Sequence, residues 1–402
     1  MAAHPPWPYR ALDVDELADM GWRATPFQEF VFKVHQQCNL ACDYCYVYEL
    51  ADSSWRHRPA VMSESVWRTA AARILEHVRS HGLVEIGIVL HGGEPLLAGR
   101  HRLAALVQHL RGTFAGECWL RIGVQSNGTL LDRAMLDVLA DLGVRIGISI
   151  DGTAADHDRH RSNRRGQGSH DAVQAALALL TDPRYRSSYA GLLCVVDPDT
   201  DPVAVYESLL TYAPPMIDFL LPHANWSDPP RRPPGAATPY GDWLCAAFDR
   251  WYDAPHRETD VRLFGELLSL VLGGASRSEQ IGLSPSGVVV VESDGAIEQV
   301  DSLKSAYDGA CDTGLHIDGN PFDDALTHPG IVARQIGASA LSETCLACPI
   351  HKTCGGGHYA HRYRAPDGFR NPSVYCRDLK VLIRHVTGRV AADLAHIGAG
   401  GQ

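Results

Sequence analysis

The chain has 402 residues, 45% hydrophobic and 21% charged. That is ordinary globular usage and excludes a disordered or collagenous chain. Lys+Arg 36 against Asp+Glu 47 leaves a formal charge of −11, which argues against a face built to wrap nucleic-acid phosphates or an anionic membrane. At ~150 residues per domain the length suits two or three domains, or one barrel with an appendage. The opening MAAHPPWPYRALDVDELADMGW lacks the basic and apolar regions of a secretory signal. No apolar run approaches the ~20 residues a membrane span needs. A cytoplasmic, reducing location is therefore expected. There, clustered cysteines among the 11 present more often bind metal or catalyse than form disulfides.

Residues 1–28 read as an N-terminal extension without clear periodicity. From Phe30 strands and helices alternate. FVFKV (30–34) is the first strand. A helix over 63–81 follows, with Ser63 as N-cap, Gly82 as stop, and Val66, Trp67, Ala70, Ile74 and Val78 at helical spacing. Strands are then predicted at 84–90, 120–125, 144–150, 190–196 and 216–221. Helices are predicted between them at 101–113, 130–142, 169–181 and 202–212. Six βα units in a row imply a parallel sheet, and their length suits a partial (β/α)6 TIM-like barrel over 29–228 rather than a full eightfold one. Pro229-Pro230-Arg231-Arg232-Pro233-Pro234 marks a linker, and 229–275 reads as linker plus two bridging helices, 239–253 and 258–273. Residues 276–402 combine a hairpin (GVVVVESDGAIEQVDSL), Cys-rich loops and a final helix at 377–396.

Special residues follow each barrel strand: Cys38, His91-Gly92-Gly93-Glu94, Gln125-Ser126-Asn127-Gly128, Ser149-Ile150-Asp151-Gly152, Asp197 and His223. Gly, Asn and Asp make turns anyway, but the C-terminal rim of a parallel barrel also carries its active site. Cys38-Asn-Leu-Ala-Cys42-Asp-Tyr-Cys45 reads C-x3-C-x2-C directly after the first strand. Three thiolates in one loop suit three irons of a cubane and leave the fourth open. A zinc knuckle would need a fourth ligand, for which His35 is awkwardly placed.

C-x3-C-x-aromatic-C after the first strand, with Tyr44 at the aromatic position, and Gly-Gly-Glu-Pro after the second together resemble the radical S-adenosylmethionine (SAM) superfamily over residues 28–225. The resemblance implies a [4Fe–4S] cluster on Cys38, Cys42 and Cys45 that binds SAM and cleaves it to a 5′-deoxyadenosyl radical. It places Gly92, Gly93 and Glu94 at the SAM amino group. Gln125 and Asn127 of QSNG stand where relatives read QTNG. Ser149 faces the ribose or carboxylate, and Arg161 pairs with the carboxylate, a role that suits a planar guanidinium.

Cys345, Cys348 and Cys354 read C-x2-C-x5-C, and Cys376 follows after 21 residues. By spacing alone a closed zinc site and an iron–sulfur site are both open. The pattern is similar to the C-terminal half of the SPASM extension of peptide-modifying radical SAM enzymes, which implies one auxiliary [4Fe–4S] cluster. The remaining SPASM positions depart from the pattern: His358, Val300, Glu279 and Pro285 replace cysteines, so a second auxiliary cluster lacks its ligands. Cys311 could serve there, but a core thiol is the simpler expectation. Cys118, Cys194 and Cys245 read as buried apolar residues.

Asp301 follows the vacated position at Val300. In sulfatase-maturing relatives an Asp at that place is the base, so Asp301 is the candidate catalytic residue. Its competing roles are a strand-end cap or an ion pair with Lys304. Glu298, Gln299, His358, His361 and Arg362 are candidate lining residues. KVHQQCNLACDYCYVYE, HGGEPLLAG, LLPHANW, DGAIEQVDSLK, CGGGHYAHRY and NPSVYC together resemble the FxsB-type radical SAM/SPASM peptide maturases across nearly the whole chain. Such enzymes join an aromatic ring carbon to the Cβ of a residue two positions on in a ribosomal precursor peptide. The auxiliary cluster is the expected electron sink, and a flavodoxin- or ferredoxin-type protein the expected electron donor. The segment before the first strand is short for a winged-helix recognition domain, so the precursor is expected to dock on the barrel rim or the C-terminal domain. The alternatives are another radical peptide modification (thioether, epimerisation, formylglycine) or a cluster-binding sensor without turnover.

Overall fold

The computed structural model describes residues 4–399. Among them ten strands form one sheet. In chain order these are β1 (Glu29–His35), β2 (Glu85–Gly92), β3 (Trp119–Ser126), β4 (Arg145–Ser149), β5 (Tyr189–Val195), β6 (Met216–Leu220), β7 (Asp260–Val261), β8 (Val288–Val291), β9 (Ala296–Glu298) and β10 (Asp312–His316). Strands β1 to β6 pair in sequence order, all parallel. This is the expected α/β fold with a partial barrel. Helices Glu64–His81, Arg100–Phe114, Arg133–Asp141, His170–Leu180 and Pro202–Leu210 fill the crossovers. The first is built as its sequence dictates. Ser63 accepts from the Val66 amide, Gly82 takes the left-handed conformation (φ 59°), and Trp67, Ala70, Ile74 and Val78 are buried.

Three features differ from expectation. A short helix at Ala154–His160, capped by Thr153, was not anticipated. The helix expected at 258–273 begins at Arg262, because Asp260 and Val261 leave as a strand that pairs with β6. The C-terminal hairpin is present as antiparallel β8 and β9, but β8 also joins the barrel edge parallel to β1, Glu29 opposite Val288 and Phe32 opposite Val291. That pairing was not read from the sequence. It makes one continuous sheet of both regions.

The bridging segment 229–275 is likewise part of the packed core. Helix Pro239–Tyr252 lies on the last helix, Cys376–Ala399. Gly241 sits against the backbone of Asp378, where a Cβ would come within 2.6 Å. Among the described residues no helix is long and apolar enough to cross a membrane.

Candidate active site

Residues 36–45 leave the C-terminal end of β1 as the first cysteine loop. The loop is fastened on two sides. The Ala41 amide donates to the Ser162 carbonyl at 2.7 Å and the Asp43 amide to His160 at 3.3 Å. On the other side, the amides of Gly93 and Glu94 donate to the carbonyls of His35 and Gln37 at 2.9 Å each. This contact explains the two glycines of HGGEP. A Cβ on Gly92 would lie 2.0 Å from the His35 carbonyl oxygen, and one on Gly93 1.8 Å from the Tyr48 hydroxyl and 2.6 Å from the Gln37 backbone. Only glycine lets β2 end this close to the loop.

Glu94 is fully buried. Its Oε1 accepts from the Leu96 amide at 3.0 Å and the Ser126 hydroxyl at 2.9 Å, and its Oε2 from the Asn127 amide at 2.8 Å. Burial pushes its carboxyl up to about 7 despite those donors. The structure therefore gives Glu94 the task of bracing β2 against β3. Asn127 Nδ2 donates to Asn39 at 2.9 Å and lies 3.7 Å from Cys38 Sγ. Gln125 Nε2 donates to Ser149 Oγ at 3.0 Å. Its carbonyl oxygen crosses β4 where Gly147 has no Cβ to obstruct it, at 2.3 Å. The predicted residues of β3 and β4 are thus brought together.

Arg161 is buried and committed to Asp151, with Nε 2.8 Å and Nη2 3.4 Å from its two oxygens. The Tyr44 hydroxyl donates to the same carboxylate, and Arg161 stacks over the Tyr44 ring at 5.4 Å. Asp151 also accepts from the Val195 amide at 3.0 Å. Burial alone would raise the Asp151 carboxyl, but Arg161 outweighs it and holds the group below its usual range. Asp151 thus takes the Nε and Nη2 positions of the Arg161 guanidinium. Asp151 was noted in the sequence only as a turn residue.

Asp301 opens a one-turn helix, Asp301–Ser305. Its Oδ2 takes the Lys33 ammonium at 2.7 Å, and Lys304 lies 3.8 Å from Oδ1, which accepts no hydrogen bond. Lys33, in the middle of β1, is fully buried. It was missed from the sequence, although a lysine inside FVFKV was the available signal. Lys304 also donates to Glu292 at 2.8 Å and sits 3.6 Å from Glu298, while Arg58 bonds Glu298 and, at 2.7 Å, Asp294. Two buried lysines and the half-buried Arg58 thus face three buried carboxyl groups. Burial would raise Asp301, but Lys33 and Lys304 together hold it below the ordinary carboxylate range. Burial, and then Glu292, raises Glu298 to about 8.

Of the other lining candidates, Gln299 turns away to Tyr9 and the Ala310 carbonyl, each at 3.1 Å. Arg362 donates to the carbonyls of Gly355 and Gly357. His358 and His361 meet His223 instead, within 4.8 Å atom to atom.

Cys345, Cys348, Cys354 and Cys376 line one small cavity. The positions without cysteine are filled by protein: Arg334 forms a bidentate pair with Glu279 at 2.8 and 2.6 Å. Cys311 is a buried core thiol that donates to the Val300 carbonyl at 3.3 Å. Cys194 is buried as expected, whereas Cys118 and Cys245 are only half-buried.

Residues 32–201 match the Radical SAM superfamily. A cysteine-type anaerobic sulfatase-maturating enzyme of Clostridium perfringens (strain 13 / Type A) is 25% identical over 364 residues, 88% of this chain and 94% of that protein. The solved structure described as native anSMEcpe with bound AdoMet and Cp18Cys peptide superimposes with a TM-score of 0.77 at 22% identity, over 93% of this chain and 100% of that one. Streptococcus suis SuiB bound to precursor peptide SuiA gives 0.60 at 14% identity, over 90% and 78%. These two likenesses establish the fold. The donor sets fit the superfamily's cofactors. Burial raises the thiols of Cys38 to about 11 and Cys42 to about 12. Three such thiols on one loop are costly as bare thiolates and suited to iron. The four-thiol cavity suits a second, closed cluster.

Proposed function

We propose that this chain, a radical SAM family protein with homologues among the anaerobic sulfatase-maturating enzymes, crosslinks a ribosomally made precursor peptide. The bond formed joins an aromatic ring carbon to the Cβ of a residue two positions on. Cys38, Cys42 and Cys45 would hold the loop cluster, which with SAM bound would supply the radical chemistry that removes one hydrogen atom from that Cβ. The chain's own residues do the rest. Tyr44, Asp151 and Arg161 hold the cysteine loop against β4 and β5. Glu94 braces the loop's other flank. Asp301, kept ionised by Lys33, presents an unpartnered Oδ1 to take the proton that leaves the ring carbon when aromaticity returns, while the electron lost with it would pass to the cluster that Cys345, Cys348, Cys354 and Cys376 would hold.

The observation that carries this reading is Asp301: a buried carboxylate with one oxygen clamped and the other free, at the place where the resemblance to sulfatase-maturing enzymes puts a base. Its test uses the anaerobically reconstituted full chain with SAM, dithionite and synthetic peptides that carry Phe, Tyr, Trp or His two positions before a Cβ-bearing residue. Mass spectrometry should show loss of two hydrogens, with no fragmentation between the joined residues. Cys42→Ala should abolish it. Conversion of a Ser or Cys to an aldehyde instead would establish the relatives' reaction. That second reading is favoured by the 25% identity extending over 94% of the Clostridium enzyme. Failure to make 5′-deoxyadenosine would favour a sensor.

A further inference from the structure

We infer that His223, His358 and His361 form a divalent transition-metal site, of the zinc class, separate from both cysteine sets. His223 follows β6, while His358 and His361 lie on the loop after Cys354, so the site joins the barrel to the C-terminal region. Ring centroids are 5.4, 5.7 and 5.0 Å apart. Three imidazoles around one tetrahedral ion, at the usual metal–nitrogen length, would place centroids ~5.2 Å apart. One nitrogen from each ring lies within 4.8 Å of the others.

Aromatic packing alone also gives such spacings, so a second observation matters. His361 is 3% exposed, and neither of its ring nitrogens has a hydrogen-bond partner; His223 Nδ1 is buried and unpartnered too. Buried polar atoms without partners are rare. A metal would satisfy the nitrogens turned toward it.

The protonation states agree. Burial above all holds His358 down to about 4, His223 to about 3 and His361 well below its usual value. Neutral imidazole is the ligating form. Nearby charges are mixed: Asp301 faces His223, and Glu279, paired with Arg334, faces His358. Arg362 lies beside His358 and His361. His358 Nδ1 accepts from the Ala360 amide at 3.3 Å, so it offers Nε2. Metal binding there moves its ring proton to Nδ1 and gives up that long contact. Three nitrogen donors without thiolate select zinc, iron(II), cobalt or nickel over magnesium or calcium. His358 stands where a cluster cysteine is missing, so the ion would occupy part of the region that a second auxiliary cluster would otherwise take.

The inference does not depend on the peptide reaction, because it is read by metal content. The full chain, with iron and sulfide loaded to fill both cysteine sets, is equilibrated with zinc under anaerobic conditions and desalted. Zinc, iron and sulfide are then counted by mass spectrometry and colorimetry. Wild type should retain one zinc per chain. His223→Gln and His361→Gln should bind it roughly 100-fold more weakly or worse, beyond the cost of losing an outer partner, with iron unchanged. His328→Gln, at a half-buried histidine outside the trio, should behave as wild type. Competition of wild type against a fluorescent zinc chelator keeps the test valid where a variant fails to fold. No zinc retained by the wild type, or equal zinc in the His223 and His361 variants, overturns the site.

Discussion

Lys33→Met removes the cation that clamps Asp301. The pair is 2.7 Å long, with Lys33 fully buried and the Asp301 side chain 8% exposed. At an effective dielectric of ~20 the direct attraction is about 6 kcal/mol. Stranding the partner of a buried pair costs about 3–5 kcal/mol net. Asp301 then keeps only Lys304, at 3.8 Å, and relieves part of the loss by taking a proton. The sign follows from linkage. In the wild type the folded carboxyl lies below its unfolded value, so its contribution is present above the unfolded pKa and is lost as pH falls through the folded one. In Lys33→Met burial dominates and the folded value rises above the unfolded one, so stability falls as pH increases between the two. The gap between variant and wild type must therefore widen from pH 4 toward neutrality. Anaerobic thermal unfolding over pH 4–8 reads it, with a fall in Tm of roughly 5–10 °C expected near neutral pH. A gap under about 1 kcal/mol, or one that does not vary with pH, would refute the clamp.

Asp301→Asn should leave 5′-deoxyadenosine formation intact but lower crosslinked product at least ~100-fold, the usual worth of a positioned base; single-turnover mass spectrometry separates the two. Gly93→Ala should reduce iron held by the first cysteine loop, and adding Tyr48→Phe should not restore it, because the Gln37 backbone is also 2.6 Å from the new Cβ; iron counting decides. Glu94→Gln turns an amide N–H toward the Asn127 N–H or loses an acceptor for Leu96 and Ser126, costing about 1–3 kcal/mol in urea unfolding. Cys354→Ala should halve iron and sulfide while sparing the loop cluster's SAM-dependent spectrum.

The barrel was legible because each strand is an apolar run ended by Gly, Asn, Asp or Cys, and each helix carries its own stripe. The cysteine loop was legible because its ligands sit within eight consecutive residues. Other features need three dimensions. Lys33 and Asp301 are 268 residues apart, and no local pattern pairs them. That Glu94 and Arg161 also bond Ser126, Asn127 and Asp151 is visible only in the folded chain. The strand β7 is two residues long, below what periodicity detects.

The pairing of β8 with β1 links the two halves of the chemistry. Strand β1 carries Lys33 inward and releases Cys38 three residues beyond its end. By adding to that same strand in parallel, β8 delivers Glu292 to the buried cations, and the hairpin's return through β9 delivers Glu298 and Asp301. The Lys33–Asp301 pair crosses between the regions: Lys33 alone would leave a bare ammonium in the barrel, and Asp301 would keep only Lys304, at 3.8 Å, in the C-terminal region. A C-terminal region cut away at the linker would thus unbalance the barrel's interior as well as remove the base. Severing the chain near residue 228 should therefore yield a barrel that is destabilised even in the presence of its own cysteine loop, and Lys33→Met should partly rescue it. A truncated barrel as stable as the full chain, or one that Lys33→Met harms further, would show that the shared charges do not bind the two halves.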